Sequence, residues 1–443
     1  MLQYETLETL VVFLILCSLI YELPASALAA IAESFGIYEN AAFYSYRVKF
    51  AAIVILFAGL NLLVNHRYIF KNAFFLLYVF FLCYMTAIVW INREMYGFET
   101  TTDETSISAL EFHLPIIFRY CLFFLIGFYL HRIYKYRGIL MLFLITLLFL
   151  VSVHVDFEKM GLDTKNYVDT KHLGNYLFIG DATSITALIS IAFFRSIKTK
   201  IIFGIVCMLV IFFIGSRTSF AVFSATVFLY FIVSFKPKLL LASTMCVLAA
   251  GLALSSIDFS ELEARNPRMF SVLVDLESDR SVQGREEFAT IGWTDISENY
   301  VTGFFGGQLL SGMPGEKTSW RFYMHSVFSY WRQFGALAFI IIAAFAVHFY
   351  ITLWKNRNKR DQRLFAMYFL VPVFICVETV FSRSFTFSYS HIFFGMAVAI
   401  SYTMASDKKS RSPTAQSYRP AIQSKPNFSP SRKRRKKRRS RKK

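Results

Sequence analysis

Charged residues are scarce in this chain. Only 17% of its 443 residues are Asp, Glu, Lys or Arg, against about a quarter in ordinary soluble proteins. A soluble chain of this length folds into about two or three domains, and it needs polar surface to cover them. The composition therefore excludes a soluble enzyme, and a hydrophobic content of 56% excludes a disordered protein. A mean hydropathy of +0.47 and 50 phenylalanines indicate a polytopic membrane protein.

Cysteine is also rare, and its positions exclude a disulfide scaffold. The six cysteines lie in apolar stretches, and no two have the spacing of metal ligands; they are Cys17, Cys83, Cys121, Cys207, Cys246 and Cys376. We interpret them as small packing residues. The acidic pair in Asp275-Leu276-Glu277 has a spacing that is common in solvated loops, so the sequence predicts no metal site.

Long apolar runs predict about twelve transmembrane helices. A crossing needs about 20 mostly apolar residues, and such runs occupy roughly residues 8–27, 48–65, 70–91, 114–131, 139–155, 176–194, 201–215, 218–235, 239–256, 326–354, 364–381 and 392–404. The expected fold is an all-α polytopic membrane protein whose helical domain covers residues 1–404. One large loop, 257–325, is inserted between helices 9 and 10.

The charges between these runs assign the two faces of the membrane. The loop after every even-numbered helix is basic, which predicts that those loops and both termini are cytoplasmic. The loops on the opposite face are acidic or neutral, and loop 257–325 contains 11 acids against 6 Lys/Arg. Since loop 257–325 is the only segment of that face large enough for a small subdomain, we expect functional sites there.

Several ionisable residues fall near the outer ends of the predicted helices, where burial is costly and function is the usual reason for it. They are Arg119, Asp181, Arg217, Glu378 and Arg383. Arg217 lies in the turn Gly215-Ser216-Arg217-Thr218 among hydroxyls that also bind oxygen atoms. Snorkelling to headgroups is an equal alternative for Arg119, and pairing with an arginine is the expected role of Asp181.

A second group surrounds the end of loop 257–325. Arg321, His325 and Arg332 share one face if the segment is helical. Arg285 and Trp293 come earlier in the loop, before the glycine-rich stretch Gly303-Phe304-Phe305-Gly306-Gly307. Alternatively, Arg285 pairs with its neighbouring glutamates and the glycines only make a turn.

These elements resemble the bacterial O-antigen polymerase and ligase superfamily, whose members often have about twelve helices and one large late periplasmic loop. The resemblance covers roughly residues 200–345 and rests on Gly215-Ser216-Arg217-Thr218, on Arg285 with Trp293 and Asn299-Tyr300-Val301-Thr302-Gly303, and on His325-Ser326 with Gly335. Tyr300 replaces the usual Pro of the family, and Ser326 replaces an Asn that commonly follows the His.

The resemblance implies a glycosyltransferase at the periplasmic face of the bacterial inner membrane, with an undecaprenyl-diphosphate-linked oligosaccharide as donor and no metal or other cofactor. Arginine suits a diphosphate leaving group, because it is permanently cationic and binds oxygens in pairs. We therefore expect Arg217 and Arg285 to hold the diphosphate. The expected substrate-binding residues in support are Arg119, Ser216, Arg321, Arg332 and Trp293. His325, with a pKa near neutrality, is the expected base, and Glu378 is its alternative.

Three functions stay open from the sequence. The first is a polymerase of surface polysaccharide, with a lipid-linked acceptor glycan; a chain-length regulator is then an implied partner. The second is an O-antigen ligase, with lipid A-core as acceptor. The third, from another class, is a lipid-linked oligosaccharide flippase or other transporter, which predicts related halves and charges near mid-membrane. We favour the polymerase.

The C-terminal segment carries most of the net charge of +18. Residues 405–443 contain 16 Lys/Arg and one acid, so the first 404 residues have a net charge of only +3. Its Ser, Pro and Lys content predicts a disordered cytoplasmic tail. Because each cation near an anionic leaflet contributes about 1 kcal/mol, we expect the tail to bind inner-leaflet lipids, without specific nucleic-acid binding.

Overall fold

The computed structural model describes residues 2–34, 46–99, 106–158, 160–162, 175–234, 259–266, 269–270, 280–307, 324–355, 357 and 362–410, and it is about 86% helical. The α-helices are α1 (Leu2–Ile20), α2 (Ser26–Ser34), α3 (Arg47–Asn65), α4 (Ala73–Ile91), α5 (Ala109–Tyr129), α6 (Arg137–Val153), α7 (Asn175–Phe193), α8 (Ile197–Ile214), α9 (Arg217–Ser234), α10 (Phe259–Arg265), α11 (Arg280–Glu298), α12 (Phe328–Lys355), α13 (Gln362–Phe381) and α14 (Ser390–Ser410).

Short elements join some of these helices. A π-helix (Tyr21–Ala25) connects α1 to α2, and two 3-10 segments (Arg67–Lys71 and Leu130–Tyr136) precede α4 and α6. Four short strands form two antiparallel hairpins, β1 (Tyr96–Glu99) with β2 (Ser106–Ser108) and β3 (Val155–Asp156) with β4 (Gly161–Leu162). The sequence did not predict these hairpins, because strands this short carry no hydropathy signal.

Within the described ranges, nine helical segments are long and apolar enough to cross a membrane. The prediction of an all-α, multi-pass membrane protein is thereby confirmed at this level. One of the nine, Ala109–Val153, has 45 residues and contains both α5 and α6, so two of the predicted spans fall within it. The last predicted span matches a shorter apolar helix, Ser390–Tyr402. The predicted span 239–256 lies outside the described residues, and so do residues 257–258, 267–268, 271–279 and 308–323 of loop 257–325, which include Arg321.

Helix α7 lies at the centre of the bundle. Every residue from 179 to 193 is buried, and α7 packs against α2, α6, α8, α9 and α13. Its small residues allow neighbouring helices to approach closely, as is typical of membrane helix interfaces. The hydroxyl of Thr186 is satisfied within the helix by the carbonyl of Ala182, at 2.7 Å. The central position of α7 brings the first turns of this helix, including Asp181, next to several other helix ends.

Residues 1–402 form one compact unit, and residues 403–443 form a second. The described part of the second unit is the end of α14, up to Ser410. The predicted basic tail otherwise lies outside the described residues.

Helix α12 is interrupted at Gly335, and the loop after α11 fills the interruption. Gly335 has φ 77° and ψ 178°, so the helical hydrogen bonds stop there. Backbone groups of the loop replace them, because the amide of Phe304 donates to the carbonyl of Arg332 at 2.6 Å and the amide of Ala336 donates to that of Tyr300 at 3.3 Å. Gly303, with φ 73°, lies directly against Gly335. The stretch Asn299 to Gly303 thus holds the first turns of α12 against the end of α11.

We expect Gly335→Ala to destabilise the folded protein. A side chain at this positive φ with an extended ψ costs about 1–3 kcal/mol, and a Cβ here would also overlap the carbonyl oxygen of Val301. Thermal unfolding in detergent, followed by size-exclusion chromatography, should show an earlier transition. The matched control is Gly59→Ala in α3, where no atom lies within 4 Å of the added Cβ and where alanine favours the helix. Equal effects of the two changes would contradict this account of the interruption.

Candidate functional site

The site begins at the turn between α8 and α9. Gly215 ends α8 in the left-handed conformation, with φ 77° and ψ 18°, and α9 starts two residues later at Arg217. The turn packs onto α7 at Gly180, where a Cβ would overlap the side chain of Ser216. The absence of a side chain at Gly180 therefore lets Ser216 pack directly on α7.

A buried hydrogen-bond network joins this turn to α7 and to the end of α13. The hydroxyls of Ser216 and Ser219 lie 2.6 Å apart, and that of Ser219 donates to Asp181 Oδ1 at 2.6 Å. Arg383 binds both carboxylate oxygens of Asp181, through Nε at 2.8 Å and Nη2 at 2.8 Å. The expectation that Asp181 pairs with an arginine is thus confirmed. A bidentate, charge-assisted pair of this kind fixes both partners in orientation.

Glu378 supplies a second carboxylate beside Arg383. Its side chain is fully buried, and its Oε2 lies 3.5 Å from Arg383 Nη2. Neither carboxylate oxygen accepts an aligned hydrogen bond from the described residues. Glu378 therefore places a buried carboxyl group beside Arg383, with its hydrogen-bonding capacity largely unused.

Arg285 and His325, both from the predicted loop 257–325, lie beside this network. Arg285 lies on α11 and is half-buried; its charge interacts with those of Arg383, Glu378 and Arg217. His325 lies in a bend just before α12 and interacts with Arg285 and Arg383. The structure therefore brings four of the predicted site residues into one electrostatically coupled group with Arg383, which we call the arginine cluster: Arg217, Arg285, His325 and Glu378.

The cluster changes the acid-base properties of its half-buried members, His325 and Arg285. Burial and the positive charges of Arg285 and Arg383 lower the pKa of His325 to about 4. The expectation of a pKa near neutrality for this histidine is therefore wrong for the protein without substrate. Burial and the nearby guanidinium of Arg383 also lower the pKa of Arg285. Both shifts have one physical cause, which is positive charge concentrated in a partly dehydrated place.

The other described candidates lie in different surroundings. Arg332 is buried and binds Asp295 Oδ2 through Nε at 2.7 Å and through Nη2 at 2.6 Å. The helical face proposed for Arg321, His325 and Arg332 does not form as expected, because α12 begins only at Phe328, after His325. Arg332 instead ties α12 to α11.

Arg119 and Trp293 also lie apart from the direct contacts of the cluster. Arg119 Nη2 lies 3.6 Å from Glu22 Oε2, in a separate group with Arg47. Trp293 lies on the outer side of α11, is 45% exposed and packs its ring on Phe328 at 4.7 Å. A substrate-binding role for these two residues stays a prediction.

Sequence reasoning missed the pair formed by Glu22 and Arg47. A signal was present, because Glu22 is an acid inside the first apolar run, two residues before Pro24. It was not recognised because its partners, Arg47 and Arg119, belong to other helices.

The described residues contain no group of three or more His, Cys, Asp or Glu able to hold a metal ion. Asp275 and Glu277 lie outside these residues.

No family model matches the chain, and no curated protein matches it as a relative.

We expect Asp181→Asn to destabilise the protein, because it leaves the buried guanidinium of Arg383 without its main counter-charge. Breaking a buried ion pair on one side costs about 3 kcal/mol, and thermal unfolding in detergent measures the loss. The control is Glu261→Gln in α10, which removes the partner of Arg265 from a pair whose side chains are 51% and 69% exposed. An exposed pair of this kind contributes little. Similar transitions for both variants would contradict the structural role of the Asp181–Arg383 pair.

Proposed function

We propose that this protein is a membrane glycosyltransferase that uses an undecaprenyl-diphosphate-linked oligosaccharide as donor. The observation that carries the proposal is the arginine cluster, in which Arg217 and Arg285 interact electrostatically beside His325. Concentrated guanidinium groups are suited to a diphosphate, because each binds phosphate oxygens through paired hydrogen bonds. The resemblance of residues 200–345 to O-antigen polymerases and ligases supports the same substrate class.

We assign different roles to the arginines of the cluster, a structural role to one and ligand binding to two. Arg383 is bound by Asp181 and lies beside Glu378, so its charge is largely used within the protein. We therefore assign the diphosphate to Arg217 and Arg285. Burial, and after it the charge of Arg383, lowers the pKa of Arg285, and an anionic ligand would supply this guanidinium with a counter-charge.

The reaction we propose is a single displacement. The acceptor hydroxyl attacks C1 of the donor sugar while its proton passes to His325, and the electron pair of the breaking C1–O bond stays on the diphosphate. Preorganised cations stabilise this leaving group as its charge develops. A neutral imidazole is available to accept the proton because the pKa of His325 is about 4. Glu378 remains the alternative base, and single displacement implies inversion at C1, which anomeric analysis of the product would test.

Sidedness follows from the charges at the two ends of the bundle. The arginine cluster lies where α8 and α13 end and α9 begins, and we assign this end to the periplasm. Cations at the other end are paired with local partners, as in the hydrogen bond from Lys200 Nζ to Tyr230 at 2.8 Å and the contacts of Arg132 with Glu8 and Arg363 with Tyr134. Basic loops at that end support a cytoplasmic assignment. The full proposal has twelve spans, both termini in the cytoplasm and the bacterial inner membrane as location.

Among the alternatives we favour a polymerase that joins repeat units of a surface polysaccharide. A ligase that transfers the glycan to lipid A-core would share the leaving-group site. A transporter would need ionisable residues near mid-membrane or on both faces, whereas the ionisable groups of the arginine cluster lie together at one end of the bundle.

Product analysis separates these functions. The purified protein is incubated with a lipid-diphosphate oligosaccharide, with and without lipid A-core. A polymerase gives a ladder of products without lipid A-core, and a ligase gives a single capped product only when it is present. Transport of the donor across vesicles without either product would contradict the proposal.

Arg217→Ala and Arg285→Ala should each lower kcat/KM by about 100-fold or more, as expected for removal of a charge that stabilises the transition state. The corresponding lysine variants should retain intermediate activity, because a point charge replaces the paired donors. The control is Arg265→Ala, which removes an exposed arginine paired with Glu261 at 2.7 Å. Normal turnover in both alanine variants, with normal expression and membrane insertion, would overturn the assignment.

The pH dependence of the reaction tests His325. Because only the neutral imidazole accepts a proton, kcat/KM, which reports the free enzyme, should fall on the acid side with a pKa of about 4. In the complex, the diphosphate offsets the charges of Arg285 and Arg383, so the acid limb of kcat should lie at higher pH. His325→Gln should lower activity and remove this limb. An unchanged limb in that variant would assign the proton to another group.

A further inference from the structure

A second group of arginines lies at the same end of the bundle and takes no part in the proposed displacement. Arg47, at the start of α3, binds the carboxylate of Glu22 through Nε, at 2.8 Å to Oε1 and 2.9 Å to Oε2. Arg119 from α5 approaches the same carboxylate, with Nη2 at 3.6 Å from Oε2. Glu22 lies in the π-helix between α1 and α2, which also contains Pro24. π-Helical turns of this kind are frequent at functional sites.

This group, which we call the Glu22 cluster, has hydrogen-bonding capacity left for an anion. Arg119 Nε is buried, and no described residue accepts a hydrogen bond from it. The rest of the side chain is accessible, since Arg119 is 26% and Arg47 15% exposed, while Glu22 is 1% exposed. Buried donors are almost always satisfied, so the orphaned Nε of Arg119 indicates a missing acceptor. Two guanidinium groups over one carboxylate favour an acceptor that is itself an anion.

Aromatic side chains separate the Glu22 cluster from the arginine cluster. Arg119 lies over the ring of Phe123 at 5.7 Å, and Arg383 lies over that of Phe387 at 5.8 Å. Both rings pack on Tyr389, at 4.9 Å and 5.2 Å. The hydroxyl of Tyr389 in turn donates to the backbone carbonyl of Glu22 at 3.4 Å. The two clusters are therefore neighbours on opposite sides of one aromatic partition.

We propose that the Glu22 cluster binds the diphosphate of a second lipid-linked glycan, the acceptor, while the arginine cluster binds that of the donor. This inference rests on the proposed function and extends it. Polymer growth between two lipid-linked chains brings two diphosphates to the same face of the membrane, and their mutual repulsion favours separate cationic sites. Arg119, which the sequence assigned to the donor, then belongs to the acceptor site. A second diphosphate site also favours a polymerase over a ligase.

Binding stoichiometry tests the proposal without any turnover. Undecaprenyl diphosphate without a glycan is titrated into the full-length protein in detergent, and bound copies are counted by native mass spectrometry. We expect two copies on the wild type and one on the variant carrying both Arg47→Gln and Arg119→Gln. Arg285→Ala should lose the other copy and keep this one. Glu22→Gln, which removes the competing carboxylate, should tighten the second site by about tenfold, a gain that a purely structural cluster would not produce.

The same titration distinguishes the sources of phosphate. Phosphatidylglycerol in equal amount should not displace the second copy; displacement would make this a phospholipid headgroup site and overturn the proposal. Two copies on the double variant would overturn it as well. If Arg217→Ala and Arg285→Ala leave the first copy in place, the proposed donor site fails instead, so the two failures are distinguishable.

Kinetics provide an independent check on the folded variants. With a donor whose acceptor end is blocked, Arg119→Lys should raise KM for a lipid-linked acceptor by about tenfold and leave KM for the donor unchanged. A lipid-free acceptor glycan, which has no diphosphate, should react equally with the wild type and the variant. An equal loss with both acceptors, or a rise in the donor KM, would contradict an acceptor-diphosphate site.

Discussion

The buried ion pair between Arg383 and Asp181 is the interaction on which this end of the molecule depends. Charges removed from water need partners, because the low-dielectric interior offers them no other solvation. Each partner here comes from a different part of the chain: Asp181 from α7, Arg383 from the α13–α14 connection and Ser219 from α9. Forming the pair requires these helix ends to meet, and it thereby sets the position of the turn that carries Ser216 and Arg217.

A second constraint keeps helix α11 near the turn between α8 and α9. The loop after α11 fills the interruption of α12 at Gly335, and Arg332 binds Asp295 across the two helices. Since Asp295 and Arg285 lie on the same helix, the buried pair orients α11 and with it the guanidinium of Arg285. Arg332 therefore acts through position, although the sequence placed it among the substrate-binding residues. The glycine-rich stretch likewise has a structural role, because Gly303 makes close contact with Gly335 and leaves no room there for a side chain.

Hydropathy and charge were enough to predict a multi-pass helical protein and to place Arg217, Glu378 and Asp181 near helix ends of one face. These properties are local in sequence, and a span or a basic loop can be recognised without knowing its neighbours. Which residues form ion pairs with each other cannot be read from the local sequence. The pairing of Arg119 with Glu22, or of Arg332 with Asp295, depends on which helices touch. The pKa of His325 could not be predicted either, because it depends on the burial of that side chain and on Arg383, a residue distant in sequence.

The two clusters together give this end of the bundle an excess of arginines over acidic residues. Within the described ranges they combine five arginines with three carboxylates: Arg47, Arg119, Arg217, Arg285 and Arg383 against Glu22, Asp181 and Glu378. The carboxylates orient the arginines but leave net positive charge. Burial first, and then repulsion from the neighbouring guanidinium groups, lowers the pKa values of Arg285 and His325. Full neutralisation would hold the arginines more firmly, but it would remove their attraction for an anion. Because an anionic ligand relieves this repulsion only in the folded protein, binding also stabilises the fold. The incomplete balance of charge would thus couple the architecture of this end to the diphosphate that we propose it binds.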